Sequence, residues 1–204
     1  MEWTPEETAF LSTFSDPCSI QEFLDTIDYN PNEECRSPRL VIRNRRAHCF
    51  EGALFAAAVM EFLGYQPLIV DMMAVNDDDH VIAVFREDGL WGAVAKSNFT
   101  TLRYREPVYR SLRELVMSYF DFYFNVKGEK TLRSYSRPFN LKAFGGRDWA
   151  TTNEDLEYIG DKIESLHHYP VITGEMAAKL KRAGASLLEA GLLGSKPEGL
   201  FKPE

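Results

Sequence analysis

One cysteine and one histidine in this chain stand in the surroundings that nucleophilic catalysis requires. Cys49 opens residues 48–63 (HCFEGALFAAAVMEFL), an alanine-rich, nearly uncharged run closed by Gly64. That pattern predicts a helix buried on most sides with the thiol in its first turn. A cysteine attacks as thiolate, and the unpaired N–H groups and aligned dipoles of a helix N-terminus favour that charge. The same position offers the Cys49 N–H to an oxyanion developing on an attacked carbonyl. His80 follows Asp77, Asp78 and Asp79, a setting expected to favour imidazolium and hence an ion pair with the thiolate. Together the two residues imply acyl transfer, with sulfur attacking an amide or ester carbonyl and the imidazole relaying the proton.

Strands must carry the histidine to that helix. Residues 67–75, 80–86 and 90–96 read as strands, the last two joined by an Asp88-Gly89 turn. With those two residues as the loop, Glu87 opposes Leu90, and counting back sets His80 opposite Ser97, with Ala95 two residues away on the same face. Upstream, Thr4-Pro5-Glu6-Glu7 combines a cap, a proline and an acid for a helix running to Phe14, and Ile20, Phe23, Leu24 and Ile27 form an apolar stripe over 19–28. Residues 29–36 read as a polar loop, and Ser37-Pro38 opens a short helix through 42. Downstream, 111–124, 153–167 and 174–193 carry helical periodicity. The expected architecture is α+β in one domain: the Cys49 helix packed on a small antiparallel sheet holding His80, with extra helices at both ends. Its core covers 37–125 and a helical C-terminal extension covers 126–204.

The cysteine heading an alanine-rich helix with Glu51 nearby, the strand GYQPLIVD, then DHVIAVF and LWGAVAKS resemble the core of the transglutaminase-like superfamily, whose fold is papain-like. The resemblance spans 43–98, about a quarter of the chain. The stretch SNFTTLRYREPVYRSLREL and the later AGLLGS are also similar to bacterial proteins of that superfamily with no assigned substrate. It implies a nucleophile at Cys49, a histidine partner at His80 and an orienting carboxylate after the strand tryptophan, Trp91, at the position that holds Ala95 here. Loss of that carboxylate removes the group that fixes the imidazole tautomer. Ser97 and Asn98 are the candidates to replace it, Asn98 because papain-like enzymes use an asparagine in that role. Asn98 lies on the opposite face of an ideal strand from Ser97, so its role requires a bulge or strand end there. Asn44 is the candidate second oxyanion donor, since papain-like sites draw one from that region. The implied activity is amide or peptide hydrolysis, because water is always present whereas cross-linking needs a second subsite that no motif marks. A catalytically impaired binding or scaffold protein on the same fold is the alternative that Ala95 motivates.

Composition narrows the classes further. The 204 residues are 45% hydrophobic and 13% aromatic, enough to bury a core without staples. A net charge of -8 and a pI near 5.1 disfavour nucleic acid, the basic stretch 36–46 being the one local exception. The acidic start MEWTPEE and the lack of an apolar run of about 18 residues set the expectation of a soluble chain with no membrane partner. Cys18, Cys35 and Cys49 cannot all pair and match no zinc spacing, which fits a reducing, cytoplasmic setting with no metal or cofactor. The aspartate run reads as a solvated loop that tunes His80, Trp91 as a wall near the site, and His48 and His167-His168 as structural or exposed.

Overall fold

The structure, a computed structural model, describes residues 2–203. Thr4 and Asp16 cap helices α1 (Pro5–Leu11) and α2 (Pro17–Thr26), each with proline in the first turn and the cap oxygen accepting an N–H of that turn. Strand β1 (Asp28–Tyr29), helix α3 (Pro38–Asn44), strand β2 (Arg46–Ala47) and helix α4 (Cys49–Phe62) follow, and β1 pairs with β2 in parallel so that Tyr29 faces Ala47. Next come strands β3 (Leu68–Ala74), β4 (His80–Glu87), β5 (Leu90–Val94) and β6 (Arg105–Tyr109), and helix α5 (Leu112–Phe120). The chain finishes with β7 (Leu132–Ser136), β8 (Phe139–Asn140), α6 (Glu157–Glu164), β9 (His168–Pro170), α7 (Gly174–Ala177) and α8 (Ala185–Leu192). Strands β3 to β9 form one antiparallel sheet in the order β6-β5-β4-β3-β7-β9, with β8 also on β3, so the protein is mixed α+β.

Alternation along the strands decides what covers each face. Ile69, Val81, Ala83 and Phe85 point into a core shared with α1, α2, α3, α4 and α6, whereas Val70, Met72, Ile82 and Val84 point into one shared with α5 and α8. Helix α4 is caught between the sheet and the N-terminal helices, which explains its missing polar stripe: residues 50–60 are all buried. Burial of Leu54 and Phe55 contributes about 2 kcal/mol each. Gly52 permits the close approach of α4 to the chain after β5, because a Cβ there would stand 2.3 Å from Cβ of Lys96. Lys96 donates to the carbonyls of Leu24 and Ile27 at 2.7 and 2.6 Å, capping the C-terminal end of α2 with a buried charge.

The hairpin forms at the expected register. Asp88 and Gly89 take φ of 49° and 84°, and Glu87 lies opposite Leu90. Strand β5 ends at Val94, however, so Ser97 lies past the ladder. The larger difference concerns 126–204, expected to be helical: it supplies β7 to β3 and β9 to β7, with Tyr135 opposite Met72 and Pro170 opposite Ser134. Arg133 and Ser134 break the apolar alternation that would mark β7. The single helix expected over 174–193 is two, because the Ala183 N–H bonds the Gly128 carbonyl at 2.8 Å and draws the chain off the helical path before Gly184 caps α8. Strand β6 contains Pro107, tolerated because β6 is a sheet edge. Among the described residues no helix is long and apolar enough to cross a membrane.

Candidate active site

Cys49 is the first residue of α4, with His48 as its cap. Its N–H belongs to the first turn, whose donors find no acceptor inside the helix. Glu51 organises the surroundings: its fully buried carboxylate accepts from the His48 N–H at 2.9 Å, Nδ2 of Asn30 at 3.0 Å and the Arg36 N–H at 3.2 Å. Hydrogen bonds to both oxygens make that buried charge tolerable. They also tie the loop after β1 to the cysteine's own turn.

That loop, the start of β4 and the segment after β5 enclose a cavity of about 440 Å³ lined by both Cys49 and His80. Sγ of Cys49 stands 3.7 Å from the Asp79 carbonyl and accepts from the Val81 N–H, so the sulfur touches the main chain on either side of His80. His80 pairs with Met72 and shares its face, which puts the imidazole on the α5 side, its ring centroid 6.2 Å from that of Tyr123. Thiol and imidazole both reach the start of β4 and line the same cavity. Among the described residues no hydrogen bond joins them.

The ring itself is fixed by the main chain. Nε2 of His80 lies 2.9 Å from the Leu102 carbonyl, which can only accept, so Nε2 carries hydrogen and Nδ1 of the neutral ring keeps a lone pair. The electrostatics reverse the expected ion pair. Burial pushes the Cys49 thiol up to about 11, opposed by the Val81 N–H and reinforced by the charge of Asp78. Burial pulls His80 down to about 4, opposed by the bond to Leu102 and reinforced by Arg105. At neutral pH the two are thiol and imidazole. The aspartates expected to charge His80 turn elsewhere, Asp77 accepting from the Thr131 hydroxyl and Asp79 from the Ala74 N–H, each at 2.7 Å.

Among the described residues neither Ser97 nor Asn98, the expected orienting groups, bonds His80; its ring is held by the Leu102 carbonyl. Both side chains line the cavity but are engaged elsewhere. Ser97 Oγ accepts from the Phe99 N–H at 3.0 Å. The Asn98 amide donates to the carbonyls of Lys196 and Gly199 at 2.9 Å each and accepts from the Lys196 N–H at 2.8 Å. Asn98 thus fastens the C-terminal segment, whose Gly199, Leu200 and Phe201 line the cavity. Asn44 is exposed at the end of α3 and lies off the cavity lining, because Arg45 turns left-handed (φ 52°) and β2 intervenes before Cys49. Tyr29 lines the cavity beside Asn30 and Asn32: the β1–β2 register holds it opposite Ala47, and its hydroxyl makes no hydrogen bond among the described residues. Trp91 also lies off the lining, its ring 5.0 Å from the Arg86 guanidinium.

Neither Tyr29 nor Leu102 carries a sequence signal beyond its place beside a short extended segment. His48 lines the cavity and donates Nε2–H to the Glu34 carbonyl at 2.9 Å, while His168 sits apart on β9, bonded to Asp71 at 2.9 Å. No set of three His, Cys, Asp or Glu side chains among the described residues is placed to hold a metal ion. Neither family models nor curated proteins give a match to this chain.

Proposed function

We propose that the chain has a papain- and transglutaminase-like core and performs thiol-dependent acyl transfer, hydrolysing an amide or peptide bond through Cys49 and His80. The observation that carries this is one cavity holding a cysteine at a helix N-terminus and a buried histidine whose Nε2–H is spent on Leu102, leaving Nδ1 as the base. With both groups neutral at rest, the reaction starts by proton transfer as the sulfur attacks. Cys49 loses its proton to Nδ1 and forms an S–C bond to the carbonyl carbon, and the oxygen takes the negative charge. The Cys49 N–H and the Tyr29 hydroxyl are the donors available to that oxygen. Collapse breaks the C–N bond, and the amine leaves with the proton from Nδ1. Water then gives a proton to Nδ1 and its hydroxide to the thioester carbon. The carboxylic acid departs, and Cys49 recovers the proton. Three free cysteines support a reducing, cytoplasmic setting.

A second reading, a binding or scaffold protein with impaired chemistry, is favoured by the absence of a thiol–imidazole hydrogen bond and by a thiol held protonated near neutrality. Mass spectrometry after exposure to p-nitrophenyl acetate separates the two. Hydrolysis requires an acetyl thioester on Cys49 that forms and then decays, and that is lost in His80→Ala. An acetyl group that forms at the same rate in both proteins, or never forms, leaves the binding reading.

A further inference from the structure

Carboxylates crowd the cavity: Glu33, Asp77, Asp78, Asp79 and Glu198 line it together with His48, and among the described residues no lysine or arginine does. Asp77 and Asp79 are engaged by Thr131 and Ala74, which leaves Glu33, Asp78 and Glu198. None of these three carboxylates accepts a hydrogen bond or enters an ion pair among the described residues. Asp78 lies close enough to Cys49 and to Glu33 for each charge to be felt by the other, and Leu200 and Phe201 add an apolar wall. A second feature marks the same space as a ligand site: His80 is only 4% exposed and its ring lines the cavity, yet its Nδ1 makes no hydrogen bond among the described residues.

We propose that this cavity takes acyl substrates bearing a positive charge, an ammonium or guanidinium group, which Asp78 and Glu33 hold beside Cys49 while Glu198 closes from the C-terminal segment. The proposal rests on Cys49 being the nucleophile of the site. A divalent ion is a poorer occupant, since among the described residues no three carboxylate, imidazole or thiol groups converge to hold one. An organic cation needs no such convergence, and the carbon stem of a lysine- or arginine-like group suits the wall of Leu200 and Phe201. Burial is the main cause of the raised thiol pKa, and a bound cation offsets the smaller part that Asp78 adds, which favours the nucleophile when the right substrate is present.

The test compares two thiol reagents on the full chain with Cys18→Ser and Cys35→Ser: the trimethylammonium-ethyl and sulfonato-ethyl methanethiosulfonates. Each transfers its S-alkyl group to the thiolate, forming an S–S bond and expelling methanesulfinate. The cation-to-anion rate ratio at Cys49 is expected to exceed that of 2-mercaptoethanol by about 10-fold or more. It should fall several-fold in Asp78→Asn and in Glu33→Gln, and shrink at about 0.5 M salt. A ratio equal to that of the free thiol, or one unmoved by both substitutions, overturns the charge preference. If Cys49 reacts with neither reagent, the nucleophile assignment fails. The preference is then decided by calorimetry on Cys49→Ala, where Nα-acetylarginine methylamide should bind about 10-fold more tightly than its norleucine counterpart. Equal binding, or none by either, rejects it.

Discussion

His80, buried at the start of the central strand β4, and His168, half-buried on the edge strand β9, each bond a main-chain carbonyl, yet they are partnered in opposite ways. His168 gives Nδ1–H to the Leu166 carbonyl at 2.8 Å and sets Nε2 against Asp71 at 2.9 Å, so both nitrogens are occupied. Asp71, pushed up to about 6 by burial and pulled back by His168, also takes part in a three-strand row: its N–H bonds Ser136 Oγ at 3.0 Å, and Ser136 pairs with His168. The carboxylate–imidazole pair thus fastens β9 to the middle of the sheet. His80 has a cavity but no carboxylate, and one nitrogen left over. A fully bonded histidine locks structure, whereas a half-bonded one retains a lone pair for a proton in transit.

The widest separation between the two is expected in the proposed chemistry. His80→Asn should slow acetyl-thioester formation by about 10²- to 10⁴-fold. His168→Asn should leave it nearly unchanged, as stopped-flow release of p-nitrophenol would show. Equal losses would erase the distinction. Stability should invert the order: Asp71→Ala, which removes a buried carboxylate and leaves half-buried His168 without its partner, should cost about 3–5 kcal/mol in urea unfolding. His80→Asn, which orphans at most the Leu102 carbonyl, should cost about 1–3 kcal/mol.

Acid titration sharpens the contrast through opposite signs. The folded pKa of His80, about 4, lies below the ordinary 6.5, so its contribution is complete above pH 6.5 and is lost as pH falls through about 4. The stability of wild type relative to His80→Asn should therefore fall by about 3 kcal/mol from pH 7 to pH 4, enough to erase or reverse the difference. Asp71 is raised from 3.8 to about 6, so its contribution is complete below pH 3.8 and is lost as pH rises through about 6. The difference between wild type and Asp71→Asn should grow over the same descent. Urea midpoints measured every half unit would expose curves of the same slope if this assignment fails. The smallest effect concerns the cavity wall: Asn98→Ala should speed exchange of the Lys196 amide by about 10-fold, measured by hydrogen-exchange mass spectrometry, with exchange at Ala183 unaltered.

Local patterning made half of this arrangement legible. The alanine-rich run with Gly64 at its end marked α4 and placed Cys49 at its first position. The Asp88-Gly89 turn set the register of β4 on β5 because both residues adopt positive φ. What stayed hidden depends on distant chain. Strands β7 and β9 carry little alternation of their own and are strands because β3 offers an open edge. The engagement of Asn98 by Lys196 and Gly199 joins positions about a hundred residues apart. The ion pair expected from the neighbouring aspartates gives way to thiol and imidazole because burial opposes both charges, and Asp78, close to Cys49, adds to the rise of the thiol.

The Leu102 carbonyl has a consequence for inheritance. An orienting aspartate or asparagine is erased by one missense change, but an acceptor supplied by the main chain survives any codon at 102 that preserves the turn of residues 100–102 and the buried apolar contact. Position 102 can drift among side chains while the imidazole stays aimed. Descendants of this chain can thus diverge at Ser97 and Asn98 without a direct loss of the acceptor that orients the ring.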